Sequence, residues 1–155
     1  MAETTSHTPH LFQISLKAIL EDGEGRILGL KNTPDSSVAE FYDLPGGRIG
    51  SDELEAAYAD ILARELEEEI GTAVRYELEP HPVSLGRHNY YSKERGCDNS
   101  VLMVFFRAKY LGGEVRISEE HVGYEWIDPR AAALESYFTA GWLEGLRGYL
   151  EQKRL

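Results

Sequence analysis

A short charged run in the middle of the chain, from Arg64 to Gly71, constrains the fold more than any other feature. The stretch that leads into it is rich in alanine, leucine and glutamate, which are good helix formers. Ser51 or Asp52 is suited to cap the start of such a helix, and Gly71 suits the left-handed position after its end. We therefore predict a helix over residues 51–70.

Three glutamates of this predicted helix point in the same direction. Glu65, Glu68 and Glu69 are spaced i, i+3 and i+4, so their side chains share one face. Arg64 can neutralise Glu68 one turn onward, and the other carboxylates form an anionic cluster that Mg²⁺ or Mn²⁺ would relieve through oxygen ligation. The alternative is a solvated acidic face with no function, because charge runs on helices are common.

Two glycines precede the predicted helix, in the sequence Leu44-Pro45-Gly46-Gly47-Arg48. Residues without side chains let the backbone come close to a ligand. Backbone amides and carbonyls at such a place can meet phosphate oxygens or a metal ion. A Gly-Gly pair alone is a common turn, but in front of a carboxylate cluster it indicates a binding site.

The remaining sequence predicts strands and a closing helix. Residues 12–20 alternate between apolar and polar, which is the period of a strand. Other strands are predicted at Arg26–Lys31, Ala73–Leu78, Val83–Arg87, Val101–Leu111, Glu114–Ile117 and Tyr124–Ile127. Apolar residues at positions 138, 142, 146 and 149 predict a terminal helix. Strands mixed with two helices indicate an α+β or α/β/α layered domain.

Length and charge narrow the class of protein. The 155 residues suit a single domain, and we expect a flexible tail over residues 1–9 ahead of a domain at 10–155. The net charge of −11 disfavours a nucleic-acid polymer as partner. We expect no secretory signal and, since no apolar run is long enough, no membrane span, and a single cysteine, Cys97, fits a reducing cytoplasm.

The glycine pair and the glutamate helix together resemble the Nudix box, Gly-x(5)-Glu-x(7)-Arg-Glu-U-x-Glu-Glu-x-Gly-U, in which U is aliphatic. Gly47 is followed by five residues and then Glu53, and residues 64–71 match the Arg-Glu-U-x-Glu-Glu-x-Gly core at every position. Ten residues instead of seven separate Glu53 from Arg64, which is an insertion of three. Thr72 replaces the last aliphatic residue.

The resemblance covers roughly residues 10–153, because Glu119–Ile127 also looks like the late Glu-His…Tyr-x-Trp segment of the family. It implies an α/β fold, the Nudix α/β/α sandwich with a mixed sheet. It also implies a pyrophosphohydrolase that uses Mg²⁺ or Mn²⁺ to cut a nucleoside diphosphate linked to another group. The metal ligands carried over by the resemblance are the carboxylates of Glu65, Glu68 and Glu69 and the backbone carbonyl of Gly46.

The resemblance gives other residues less direct roles. Arg64 would orient the carboxylates, and Glu53 would support the loop. The general base is a box glutamate, such as Glu68 or Glu69, or it is Glu120 (or Glu119). His121 is interpreted as a hydrogen-bonded structural histidine.

Substrate contacts are expected outside the box. Residues 87–95 form a basic and aromatic loop, in which Arg87 would meet phosphates and Tyr90 would stack on a base. Phe41 is a second stacking candidate, and Arg48 is a further phosphate contact. The alternative for these residues is ordinary packing around a hairpin loop.

The sequence leaves the substrate open among nucleoside triphosphates, ADP-ribose, dinucleoside polyphosphates and nucleotide sugars, with a lean towards the triphosphates and sugars. A nucleotide-binding sensor without catalysis is the main alternative function, and it would be expected to lack catalytic carboxylates. A diphosphate isomerase would need a cysteine placed for catalysis, which Cys97 does not offer. A homodimer through an edge strand or the terminal helix is compatible with the sequence.

Overall fold

A computed structural model describes residues 7–154. Its strands are β1 Gln13–Glu21, β2 Ile27–Asn32, β3 Tyr42–Asp43, β4 Gly46–Arg48, β5 Arg75–Ser92, β6 Cys97–Gly112 and β7 His121–Ile127. Its helices are α1 Tyr58–Ile70 and α2 Ala140–Lys153, with a short 3₁₀ turn at Leu134–Ser136 between β7 and α2. Of the predicted tail, residues 7–9 precede β1 without regular structure, and residues 1–6 lie outside the described residues.

The strands form one mixed sheet in the order β3-β2-β1-β6-β5. β1 pairs in parallel with β6, while its pairings with β2 and β4 are antiparallel. β7 adds to the other edge of β2 in antiparallel orientation. Because β1 lies at the centre of these pairings, it brings the glycine pair of β4 against the middle of the sheet.

The two helices cover opposite faces of the sheet. Leu16, Ala18 and Leu20 of β1 pack in one core cluster with the apolar face of α1, and Ile19 packs in a second cluster with α2. Alternate residues of a strand point to opposite faces, so β1 is buried on both. The result is the α/β/α sandwich with a mixed sheet that the resemblance implies.

Helix α1 begins later than predicted, at Tyr58 and not near Ser51 or Asp52. A tight turn at residues 50–53 takes the place of the predicted helix start, because the amide of Gly50 donates to the Glu53 carboxylate and the amide of Glu53 donates to the Gly50 carbonyl. Of the residues between Glu53 and Arg64, those at 54–57 lie outside the helix and those from Tyr58 onward belong to it. The predicted end is correct, since Gly71 has φ 88° and its amide caps the helix.

Two other predictions of local structure are wrong. Residues 114–117 form no strand in the described chain, because the amides of Arg116 and Ser118 bond to the last carbonyls of α1, at Ile70 and Glu69. Residues 87–92 belong to β5 instead of a loop, and only the turn at residues 93–96 separates β5 from β6. No helix within residues 7–154 is both long enough and apolar enough to cross a membrane.

Candidate functional site

Arg64 organises the exposed side of the glutamate face. Its guanidinium donates to both carboxylate oxygens of Glu53, at 2.9 Å each from Nη2, and to Glu68 at 3.2 Å from Nη1. The same group also lies 3.1 Å from the Glu65 carboxylate. The predicted pairing of Arg64 with Glu68 is therefore present. Arg64 also pairs with Glu53, although the insertion places more residues between the two. Glu53 in turn anchors the loop through the amide of Gly50.

Glu69 is the buried member of the face, with 4% of its surface exposed. Its carboxylate accepts a hydrogen bond of 2.8 Å from the amide of Gly46, so the helix and the glycine turn are joined directly. Burial raises the pKa of Glu69 to about 7, against the opposing effect of Lys17. A cation bound beside it would restore the preference for the charged form.

The second glycine of the turn makes room for Glu65. A Cβ atom on Gly47 would lie 2.5 Å from the carboxyl carbon of Glu65, which is closer than real Cβ contacts allow. The carboxylate thus packs directly on the backbone of β4. Burial raises the pKa of Glu65, although Arg64 opposes the shift. Gly46 is needed for a different reason, because its φ is 136° and a Cβ atom there would collide with the backbone carbonyl of Leu16 on β1.

A buried ion pair lies beneath the turn. Lys17 of β1 donates to Asp43 at 2.9 Å and to the backbone carbonyls of Leu44 and Gly46 at 3.3 Å each. Burial by itself lowers the pKa of Lys17, but Asp43 and Glu69 outweigh it and hold the pKa above its ordinary value. The cavity therefore has a fixed positive charge next to the carbonyl of Gly46.

The loop before β7 completes the acidic side of the site. The amide of Ser118 bonds to the carbonyl of Glu69 at 3.2 Å, which brings the following residues towards the end of α1. Glu119 lies in the same turn, and Glu120 is exposed. Ligand atoms of Glu69, Glu120 and His121 all lie within 4.8 Å of one another. This spacing suits a small cation, so the loop and the helix form a candidate metal centre.

These groups open onto one cavity of about 510 Å³. Its walls come from five strands, both helices and the loop before β7, and it has the size of pockets that hold a small ligand. The lining residues are Ser15, Lys17, Asp43, Gly46, Gly47, Arg48, Glu65, Glu69, His88, Val101, Met103, Glu120 and Trp142. The lining combines acidic groups with aromatic and apolar groups, and the part formed by His88 and Trp142 is called the aromatic side.

The aromatic side of the cavity is built around His88. Its ring lies 5.3 Å from that of Tyr90 in a stacked arrangement and 4.8 Å from that of Trp142. Arg48 donates to the Tyr90 hydroxyl and lies over its ring, 5.3 Å from the centroid. Burial and the nearby Arg48 lower the pKa of His88, which favours the neutral ring. A flat ligand group could therefore pack here without meeting a charge on His88.

Of the four predicted substrate contacts, two lie at the cavity and two do not. Arg48 lines the cavity, and Tyr90 contacts it through Arg48 and His88. Arg87 and Phe41 are absent from the cavity lining formed by residues 7–154. Arg87 is exposed on β5, with its amide bonded to Glu144 of α2. Phe41 lies in the loop before β3, where its carbonyl accepts a hydrogen bond from Asn32.

Several site residues were not identified from the sequence: Lys17, Asp43, His88, Val101, Met103 and Trp142. One signal was available, because a lysine at the centre of a strand buried on both faces requires a charged partner. Asp43, next to the glycine turn, is that partner. His88 and Trp142 carried no such signal, since their contacts join β5 to α2.

Solved structures share this fold. A MutT protein from Methanosarcina mazei Go1 matches with a TM-score of 0.75 and 21% identity, over 93% of this chain and 96% of the other. An ADP-ribose pyrophosphatase from Streptococcus suis matches with a TM-score of 0.61 and 21% identity, over 92% of each chain. The E. coli dihydroneopterin triphosphate pyrophosphohydrolase matches with a TM-score of 0.57 and 20% identity, over 92% and 97%.

The family is shown by the sequence itself. Residues 11–143 match the model of the NUDIX domain, which is most of the chain. The chain belongs to the NUDIX family. This confirms the resemblance drawn from the box and the predicted fold class, and it confirms the enzyme class as a Nudix pyrophosphohydrolase.

Proposed function

We propose that this enzyme hydrolyses the diphosphate linkage of a nucleoside diphosphate joined to another group, with the help of a divalent cation. The observation that carries the proposal is the convergence of three carboxylates on one cavity. Glu65, Glu69 and Glu120 line it together with the backbone of Gly46 and Gly47. An anionic substrate could not approach such a cluster without a cation to offset the charge.

The donor groups fit a hard divalent cation. Oxygen donors from carboxylates and a backbone carbonyl are those that Mg²⁺ and Mn²⁺ prefer. We assign as ligands the carboxylates of Glu65, Glu68 and Glu69 and the carbonyl of Gly46, with Glu68 the exposed member of the set. When bound, the cation would neutralise phosphate oxygens and lower the pKa of water. Arg64 holds Glu65 and Glu68 in place through its guanidinium.

Glu120 is proposed to accept the proton of the attacking water. Its carboxylate is exposed at the cavity, and it accepts no side-chain hydrogen bond from the described residues. The carboxylates of Glu65 and Glu69, in contrast, are already bonded to Arg64 and to the Gly46 amide. A general base has to reach its proton within hydrogen-bond distance, and Glu120 has the freedom to do so.

The aromatic side of the cavity is proposed to hold the base of the nucleotide. His88 and Trp142 provide ring surfaces, and Arg48 provides a cation between them and the carboxylates. A cavity of about 510 Å³ favours a substrate with one nucleotide unit, such as a nucleoside triphosphate or a nucleotide sugar. ADP-ribose and dinucleoside polyphosphates are the alternative substrates. These four classes of compound together form the panel used in the test.

The test is hydrolysis of that panel in the presence of Mg²⁺ or Mn²⁺. We expect metal-dependent cleavage of at least one compound, and a loss of at least ~10²-fold in kcat for Glu69→Gln, the scale of removing a key charge at a reacting centre. Glu67→Gln is the matched control, because Glu67 is exposed on the same helix. Nucleotide binding without turnover across the panel would instead identify a binding module.

A further inference from the structure

His121 lies beside two carboxylates of the cavity lining, those of Glu69 and Glu120. One of its ring nitrogens and oxygens of Glu69 and Glu120 lie within 4.8 Å of one another. Glu69 comes from α1 and is tied to the glycine turn, while His121 is the first residue of β7. The histidine is therefore presented to the site by an element other than the glutamate helix.

The imidazole lacks the hydrogen bonds of a structural histidine. The residue is 7% exposed, yet its buried Nδ1 has no partner within the described part of the chain. Nε2 is 3.6 Å from Oδ2 of Asp43, which is beyond ordinary hydrogen-bond length. Buried polar atoms are nearly always bonded, so an unpartnered nitrogen in a ring that lies beside two carboxylates points to a missing ligand. The sequence interpretation of His121 as a hydrogen-bonded structural residue is not supported.

We infer that His121 supplies a nitrogen ligand, beside the carboxylate of Glu69, to a divalent first-row transition-metal ion. The inference rests on the proposed function, because the ion would occupy the same cavity. Glu120 would then lie next to the ion and to the water that it deprotonates. The carboxylate of Asp43, 3.6 Å from Nε2, resembles the partner that usually orients a metal-bound histidine.

A nitrogen ligand has a consequence for the choice of metal. Imidazole suits transition-metal ions, whereas Mg²⁺ takes oxygen ligands almost exclusively. A mixed nitrogen and oxygen site therefore favours an ion such as Mn²⁺ over Mg²⁺. The glutamates of α1 alone would give no such preference, since both ions accept carboxylates.

Electron spin-echo envelope modulation on the Mn²⁺-loaded protein, without substrate, tests the inference directly. We expect ¹⁴N modulation from a coordinated imidazole in the unmodified protein, and its loss in His121→Asn. His88→Asn is the matched control, because His88 lines the same cavity without belonging to the cluster. Absence of nitrogen coupling in the unmodified protein, or its persistence in His121→Asn with loss in His88→Asn, would overturn the inference.

Equilibrium binding of the metals provides a second readout. His121→Asn is expected to weaken Mn²⁺ binding by about tenfold or more and to change Mg²⁺ binding far less. Equal weakening of both would contradict a nitrogen ligand. Metal-dependent hydrolysis without nitrogen coupling would leave the proposed function intact and reject only the role of His121. Nitrogen coupling without hydrolysis of any panel member would support the role of His121 as a ligand and reject the proposed function.

Discussion

The ammonium of Lys17 on β1 lies 2.9 Å from Oδ1 of Asp43 on β3, and both side chains are largely shielded from water, at 7% and 16% exposure. Burial by itself raises the pKa of Asp43, but the charge of Lys17, the nearby imidazole of His121 and the hydrogen bond from Trp142 hold it well below its ordinary value. The pair is therefore charged, and it joins the central strand to the turn that carries Gly46.

Removal of this lysine should destabilise the fold. Lys17→Met leaves the charge of Asp43 buried without its main partner, and breaking a buried pair in this way costs about 3–5 kcal/mol of unfolding free energy. Urea denaturation measures the difference. Lys31→Met is the control, because Lys31 is exposed on β2 and should change stability by less than about 0.5 kcal/mol. Similar midpoints for the two variants would contradict the importance of the ion pair.

A methyl group on Gly47, the second glycine of the Gly-Gly pair, should reduce turnover. Gly47→Ala places a Cβ 2.5 Å from the Glu65 carboxyl carbon, so the carboxylate has to move away from the cavity. We expect kcat to fall by about tenfold or more, since loss of a metal-supporting contact has effects of that order. In Gly23→Ala the added atom meets nothing within 4 Å, and its kcat should be unchanged. Steady-state kinetics with the substrate identified from the panel measures kcat for both variants.

Arg48 and Arg87 should differ in their effect on substrate binding. Arg48 lines the cavity, so Arg48→Met is expected to raise KM about tenfold, which corresponds to the loss of one charge-assisted hydrogen bond to a phosphate. Arg87 is exposed outside the cavity lining, and Arg87→Met should leave KM within a factor of about two. A larger effect at Arg87 than at Arg48 would show that the phosphates follow another path.

The pH dependence of stability should report on Glu21, at the other end of β1. Its buried carboxylate accepts hydrogen bonds from the hydroxyl of Tyr149 at 2.6 Å and from Lys153 at 2.9 Å. Burial by itself raises the pKa of Glu21, but these bonds outweigh it and lower the pKa. A carboxyl with a lowered folded pKa stabilises the protein above its unfolded pKa, about 4.3, and the contribution is lost as pH falls through the folded pKa.

Glu21→Gln should therefore be less stable than the unmodified protein at pH 7, and the difference should narrow as the pH falls below about 4. Urea denaturation at a series of pH values measures this. Glu151→Gln, on the exposed side of α2, should follow the unmodified protein throughout. A difference for Glu21→Gln that stays constant or grows under acid would contradict the depressed pKa.

Local patterns were sufficient for the helix that carries the glutamates. The spacing of Glu65, Glu68 and Glu69 and the stop at Gly71 depend on helix geometry alone, so their common face and the end of α1 follow from sequence. The start of α1 could not be predicted correctly from the same local patterns. Ser51 and Asp52 are good caps in isolation, but the bonds between Gly50 and Glu53 close a turn that competes with the helix.

The sequence by itself determined the family, the positions of most of the longer strands and the cluster of box glutamates, because each depends on residues close together in the chain. Only the tertiary structure decided which other groups meet that cluster. Lys17 and His88 lie on β1 and β5 and line the cavity, and His121 lies on β7 near Glu69. Pairing within one sheet and packing against α1 and α2 bring these strands to the same region. Contacts between distant segments depend on the whole fold, so no local pattern encodes the nitrogen of His121 beside Glu69.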